Sequence, residues 1–424
     1  MNTISELDRQ NIWHPFTPLV DADRPFVITS AKGVSLFTDD GKEIIDAVSS
    51  WWVNIHGHAH PEIANALFNQ ATTLEHVIFA GFTHKPAVTL SEKLLSVLPD
   101  HFDKIFFSDN GSTAVEVAIK MAIQYWSNIG KPRKKIIAVD GAYHGDTFGS
   151  MSVGERSIFS APFNEHLFES NFIDFPTEQN RHFLFEQFER LLKADAPAAF
   201  IYEPLIQGAA GMRMYSKDIL DELISIAQKH NVICIADEVM TGFYRTGKMF
   251  ASDHPGNKPD IITLSKGLTG GTMPLGVTAC SERIVSAFNT NDFYKTFFHG
   301  HSFTGNPLSC AVANTSFDLL LTEKCQENIE MINRSHDMFI SKMKQHPKVV
   351  SARHLGTICA IELSTPDGTS YDNKLRKKIY SHFLNKGILL RPLGNVIYVL
   401  PPYVITETQL LFIYGAIEEF IETI

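Results

Sequence analysis

The sequence predicts an α/β protein: a large domain on a mostly parallel sheet, then a smaller α+β domain. Two patterns and the length lead there. Short apolar strands recur along the middle of the chain, IIAV at 136–139, AFIY at 199–202, VICIA at 232–236 and IITL at 261–264. Helix-like segments such as ILDELISIAQKH at 219–230 lie between most of them, the alternation that builds a parallel sheet covered on both faces. After about residue 330 the pattern changes to the shorter strands VVSARHLGTICAIEL, GILLRP and NVIYVLPPY, closed by an amphipathic helix, TETQLLFIYGAIEEFIETI. At 424 residues the chain has room for two or three domains. The expected division is an N-terminal segment, 1–50, packing with the small domain; a large domain, 51–325; and a small C-terminal domain, 326–424.

Taken in order, the first 25 residues are polar apart from the island NIWHPFTPLV, whose Trp13, Pro15 and Phe16 can drape over another part of the fold. Phe26 to Ala47 reads as a hairpin: FVITS, VSLFT, the turn Asp39-Asp40-Gly41, then EIIDAV. SSWWVNIHGHAHPE follows, and Pro61 opens a helix expected over 61–78. In KIFFSDNGSTAVEVAIKMAIQYW, Ile105–Ser108 is a strand, and Val115, Ala118, Ile119, Ala122, Ile123 and Trp126 recur at helical spacing. Thr113 with Glu116 fits a capping box. Asp109 to Thr113 is then a strand-to-helix turn whose free amides suit a phosphate.

Composition removes several function classes. A formal charge of −10 disfavours a nucleic-acid partner, and the one basic run, KPRKK at 131–135, fits a solvated loop. No secretory signal and no apolar run of membrane-spanning length is present. Five cysteines, at 234, 280, 310, 325 and 359, form no CxxC pair, which fits a reduced, cytoplasmic protein. Gly242-Phe-Tyr-Arg-Thr-Gly247-Lys248 nearly spells a phosphate-binding loop, but Met249 stands where a magnesium-binding hydroxyl belongs. His56, His58 and His60 alternate like metal ligands, with His299 and His301 further on, yet Gly57 and Pro61 mark a loop and no Asp or Cys cluster completes a shell. No G-x-G-x-x-G supports a dinucleotide site.

The chemistry centres on PDIITLSKGLTGGTMPLG, residues 259–276. Ile261 to Ser265 reads as a buried strand with Lys266 at its end and a glycine-rich turn beyond. A lysine so placed points into a crevice, where desolvation lowers its pKa and makes it a nucleophile for a carbonyl. The strand before it ends in Asp237-Glu238. Neighbouring parallel strands bring Asp237 and Lys266 to one carboxyl-end edge, where ligands bind in open α/β sheets. An amine for an aldehyde and an acid for a pyridine nitrogen match pyridoxal phosphate. Gly111 and Ser112 supply phosphate amides and a hydroxyl, and Tyr143, after the strand IIAVD, supplies a ring to stack on a planar cofactor.

These residues carry a resemblance. ADEVMTGFYRTGKMFA, TLSKGLTGG, SDNGSTAVEVAIKMA, AYHGDT, EPLIQGAAGM and HSFTGNPLSCAVA together resemble the class III aminotransferases of pyridoxal phosphate fold type I, over nearly the whole chain. Within that family, WHPFTPL, SSWWVNIHGHAHPEI, Arg391-Pro392-Leu393-Gly394 and YVLPPY are similar to the branch of biotin biosynthesis that converts 8-amino-7-oxononanoate to 7,8-diaminononanoate, with S-adenosylmethionine as donor. The resemblance implies a cytoplasmic homodimer with its active sites at the subunit interface, and a pyridoxal 5'-phosphate-binding domain over 51–325. It implies Lys266 as the lysine that condenses with the cofactor aldehyde and shuttles the proton, with Asp237 on the pyridinium. Gly111 and Ser112 would hold the phosphate, and Tyr143 would line the substrate side. Gly300, His301 and Ser302 would reach across the interface, the latter two toward cofactor. Trp51 and Trp52 would wall the substrate pocket, and Arg391 would clamp the acceptor carboxylate, which suits its bidentate fork. Strand alternation would bury only one of the two tryptophans. Phe16 stands where that branch often has a tyrosine, leaving lysine open as an alternative donor, and Ser302 stands in place of a threonine. Two rivals remain: another class III enzyme acting on ω-amino acids, and a catalytically idle binding protein on the same fold.

Overall fold

The computed structural model describes residues 3–20, 22–366 and 368–424. The first sheet is a meander of β1 (Ile28–Lys32), β2 (Ser35–Thr38) and β3 (Glu43–Asp46), paired antiparallel in sequence order. Gly33 at φ 59° and Gly41 at φ 81° make its two turns in a conformation that other residues rarely adopt.

The central sheet comprises β4 (Phe102–Ser108), β5 (Ile136–Val139), β6 (Asn171–Ile173) and β7 (Ala199–Tyr202). A small hairpin, β8 (Ile206–Gln207) with β9 (Arg213–Met214), interrupts the series before β10 (Ile233–Asp237), β11 (Ile261–Leu264) and β12 (Gly276–Ser281) complete it. The seven strands lie in the order β4-β12-β11-β10-β7-β5-β6. The run β11-β10-β7-β5-β6 is parallel throughout, and β12 alone runs antiparallel to both its neighbours. Every residue of β5, β7, β10 and β11 is buried, so both faces need cover.

Alternation along the strands divides that cover. Ile136, Ala138, Ala199, Ile201, Ile233, Ile235 and Ile261 pack in one cluster with Val115, Ala118, Ala122 and Trp126 of the helix Gly111–Asn128. Ile137, Val139, Phe200, Tyr202, Cys234, Ala236, Ile262 and Leu264 point the other way, into a larger core with Leu220, Leu223 and Ala227 of the helix Lys217–Lys229. The five cysteines are all buried and free.

Past the helix Glu323–Met343 come β13 (Val349–Leu355), β14 (Ile358–Leu363), β15 (Ile388–Leu389) and β16 (Val396–Val399). β13, β14 and β16 form one antiparallel sheet, while β15 leaves it to pair parallel with β3 of the N-terminal meander. The last helix, Glu407–Thr423, starts on a Thr406–Gln409 capping box and is fixed to the helix Glu323–Met343 by Phe339 and Tyr414, stacked at 4.1 Å and 12°.

Three local expectations are corrected. The helix opened by Pro61 ends at Ala71, because the hydroxyls of Thr72 and Thr73 both bond back to the Asn69 carbonyl at 2.9 Å. The capping box of the helix Gly111–Asn128 is Asn110 with Thr113, not Thr113 with Glu116. Glu116 instead accepts hydrogen bonds from the Gly149 and Ser150 amides, 2.7 and 3.3 Å away. One tryptophan of the pair is buried, as expected, but a kinked helical turn, Ser49–Trp52, does it rather than strand alternation.

Candidate active site

The carboxyl ends of β4, β5, β7, β10 and β11 converge on a cavity of about 630 Å3 whose walls include Gly111, Ser112, Tyr143, Glu203, Asp237, Lys266 and Trp52. Asp237 ends β10, and its register partner on β11 is Thr263. Thr263 Oγ1 donates to Asp237 Oδ1 at 3.2 Å, the Val239 amide donates to the same oxygen at 3.1 Å, and His144 Nδ1 lies 2.6 Å from Oδ2. Three donors thus fix the carboxylate at the cavity wall.

Lys266 opens a tight 3-10 turn, Lys266–Thr269, with φ at 43°, a strained setting for a side chain of its size. Burial lowers its pKa, while the negative charges of Asp237 and Glu203 pull it back up. Its amine lies 4.9 Å from the centre of the Trp52 ring.

On the opposite side, the helix Gly111–Asn128 points its first amides at the cavity. A Cβ on Gly145, which has φ 124°, would fall 2.0 Å from Ser112 Oγ, and one on Gly111 would fall 2.7 Å from Val239 Cγ1. Only glycines let the three loops approach so closely. Tyr143 stands on the middle loop, 38% exposed, its amide donating to Glu203 Oε1 at 3.0 Å. Burial and the nearby Asp146 carboxylate raise its hydroxyl pKa.

Glu203, His144 and Thr263 were not picked out from the sequence. Glu203 directly follows the strand AFIY, so the same edge argument that found Asp237 could have found it. Burial pushes its pKa up to about 7, although the Gly208 amide also bonds to its Oε2 at 2.9 Å. His144 and Thr263 carry no such signal, since each is defined by a contact to Asp237 across the sheet.

Not every expected residue reaches the cavity. Trp51, Phe16 and Arg391 form a cluster of their own: the Trp51 ring is 5.6 Å from that of Phe16 and 4.6 Å from the Arg391 guanidinium carbon. None of the three lines the cavity, although Trp51 is followed directly in the chain by Trp52, which does. Gly300, His301 and Ser302 do not line the cavity within one chain. His301 Nδ1 lies 3.6 Å from Asp109 Oδ2, and Ser302 is exposed. Among the described residues no group of three His, Cys, Asp or Glu side chains could hold a metal ion, and no helix is long and apolar enough to cross a membrane. His56 and His58 instead contact Ser316 and Asp46, at 3.1 and 3.0 Å.

The family described as Aminotransferase class-III matches residues 19–421. The chain belongs to the class III aminotransferases. Among relatives of this family, the adenosylmethionine-8-amino-7-oxononanoate aminotransferase of Synechococcus elongatus is 48% identical over 98% of this chain and 99% of its own length. That of Geobacter sulfurreducens is 38% identical over 100% and 98%. A crystal structure of the enzyme so named from Methanocaldococcus jannaschii superposes with a TM-score of 0.93 at 35% identity, covering 99% of this chain and 98% of that one. The ω-transaminase of Pseudomonas jessenii in complex with PMP gives 0.92 at 26% identity, covering 99% and 98%.

The cofactor of the class III aminotransferases is pyridoxal 5'-phosphate, and the residues here fit it. A carboxylate and a lysine face one cavity, and the glycine-walled turn at a helix N-terminus leaves room that a Cβ would fill. His144 Nε2 is buried with no partner among the described residues, and its Nδ1 lies against Asp237 at the cavity wall.

Proposed function

We propose that this aminotransferase converts 8-amino-7-oxononanoate to 7,8-diaminononanoate, with S-adenosylmethionine as amino donor, as a step of biotin biosynthesis. The observation that carries the reading is the placement of Arg391. Its guanidinium sits over Trp51, while the next residue, Trp52, faces the Lys266 amine. The acceptor needs that pair of ends: a ketone at the reactive amine and a carboxylate at a remote cation, with apolar walls between.

Bound pyridoxal phosphate supplies an aldehyde to take up the amino group and a protonated ring to absorb electrons as the substrate C–H bond breaks. Lys266 would hold the aldehyde end of the cofactor, and its amine would move a proton from the donor carbon and to the acceptor carbon. Asp237 keeps the ring nitrogen protonated, with Thr263, Val239 and His144 holding the carboxylate in place. Gly111 and Ser112 hold the phosphate, and Tyr143 lines the substrate side.

The active unit is a homodimer, in which Gly300, His301 and Ser302 serve the cofactor and substrate of the partner's site. Their absence from the lining of their own cavity and the 60% exposure of Phe298 and Phe303 beside them support this. Residues 1–50 and 326–424 act as one unit about the large domain 51–325, supported by the pairing of β15 with β3. A cytoplasmic location agrees with the five free cysteines.

Phe16 favours one alternative. It packs on Trp51 without a hydroxyl to offer, which admits lysine as donor. Incubating the purified protein with pyridoxal phosphate, the oxononanoate and either donor, and weighing the product by mass spectrometry, tests the reading. Diamine with S-adenosylmethionine supports it, and diamine with lysine alone keeps the reaction but makes lysine the donor. Turnover of ornithine or 4-aminobutyrate with none of the oxononanoate replaces it with an ω-amino acid aminotransferase. A protein that stays colourless with added cofactor replaces it with a binding module.

A further inference from the structure

The backbone that carries both tryptophans is strained. Ser49, Ser50 and Trp52 have φ of 51°, 60° and 66°, and none is glycine. Trp51 lies between them at φ −131° and ψ 55°, so the run alternates in hand rather than continuing a helix. Such a turn persists only where its surroundings fix it, and strain of this kind collects at functional sites.

One fully buried carboxylate does most of the fixing. Asp46 Oδ1 accepts from the Val48 amide at 3.1 Å. Its Oδ2 accepts from the Ser50 amide at 2.6 Å and the Ser50 hydroxyl at 3.0 Å. His58 Nε2 completes the set, 3.0 Å from Oδ2. Asn54 Nδ2, 3.1 Å from His58 Nδ1, can only donate there, which puts the His58 proton on Nε2, toward Asp46. Four donors therefore converge on one side chain. Ser49 Oγ adds a bond to the Leu400 carbonyl at 2.8 Å.

We propose that Asp46 is a positioning residue for acceptor recognition: by clamping the Ser49–Trp52 turn it splays the two indoles, Trp52 toward Lys266 and Trp51 toward Arg391. This rests on the reading that those tryptophans wall the acceptor pocket. Asp46 touches neither indole and acts through the backbone that carries them. An amide in its place offers one acceptor and two donors to a site that needs only acceptors, so the turn loses its clamp.

The test is Asp46→Asn in the enzyme loaded with pyridoxal phosphate, read by steady-state kinetics, near-ultraviolet circular dichroism and melting temperature. The expected result is a KM for 8-amino-7-oxononanoate raised about tenfold with kcat within about threefold, the pattern of lost ground-state positioning. The tryptophan dichroism should change with it. Should Asp46→Asn fail to fold, Ser50→Gly decides: glycine adopts the left-handed conformation freely, so the chain folds, but the turn is loosened and KM rises. A wild-type KM in whichever of these variants folds overturns the proposal. If the wild-type enzyme makes no diamine at all, the functional reading has failed, and unchanged tryptophan dichroism in the folded variant then overturns the role of Asp46 on its own.

Discussion

The Lys266 amine rests 4.9 Å from the centre of the Trp52 ring, on the edge of a cavity it shares with Asp237. The indole face and the Asp237 and Glu203 carboxylates favour the charged amine. Burial favours the neutral one and lowers the Lys266 pKa. A nucleophilic lysine needs that balance: neutral often enough to attack a carbonyl, charged often enough to return a proton.

Asp237→Asn should remove the charge and leave the fold. Its carbonyl can still accept from Thr263 and Val239, and His144 can change tautomer to face the amide. Losing one partner of a buried charge pair costs about 3–5 kcal/mol, which is roughly a hundred- to several-thousandfold in kcat. Turnover with the melting temperature alongside checks this; kcat within tenfold of wild type would remove Asp237 from the ring-nitrogen role.

Arg391→Ala should act on the acceptor alone. A hydrogen bond to a charged group contributes about 1.5–3 kcal/mol, so KM for the oxononanoate should rise about ten- to a hundredfold with kcat little changed. The KM for the amino donor should stay where it is. Equal loss for both substrates would mean that Arg391 supports the pocket rather than clamping a carboxylate.

Two buried histidines should each cost stability in mild acid, against the buried carboxyls of Glu203 and Glu238, whose pKa values burial raises to about 7 and which favour the folded state as pH falls. His336 is buried between the Tyr414 hydroxyl, 2.6 Å from Nδ1, and the Thr357 carbonyl, 3.1 Å from Nε2, and burial pushes its pKa from 6.5 down to about 3. Burial likewise lowers His56 to about 4. Below pH 6.5 the unfolded chain takes up protons that these two rings refuse in the folded chain, so their contribution to stability is complete above that pH and is lost as pH falls toward these values. The slope approaches about 1.4 kcal/mol per pH unit for each histidine. Denaturant titrations between pH 7 and 5, compared between wild type and His336→Gln, isolate one histidine: the two slopes should differ by about 1.4 kcal/mol per pH unit. Equal slopes would contradict the burial of His336 as a neutral ring.

The central sheet and its cofactor edge were legible because they rest on local patterns. IIAV, AFIY and VICIA are unbroken apolar runs and IITL is broken only by Thr263; Asp237 directly follows VICIA, and Lys266 stands just past IITL. β12 was missed because Thr278 and Ser281 interrupt its apolar pattern, and β6 because three residues carry no period. Helix ends at Ala71 and Asn110 turned on side-chain hydroxyl and amide bonds that compete over one turn. The network behind Asp237 and the clamp of Asp46 on Ser50 were illegible for a different reason. They join residues whose roles appear only once the chain has folded back on itself, or whose backbone has left the ordinary helix and strand conformations.

The most direct test of the central claim is to reduce the enzyme, loaded with pyridoxal phosphate, with borohydride and to map its peptides by mass spectrometry. The pyridoxyl group should be found on the peptide containing Lys266, and Lys266→Ala should acquire none while melting as the wild type does. A pyridoxyl group on a different lysine, or a Lys266→Ala enzyme that still transaminates, would contradict it.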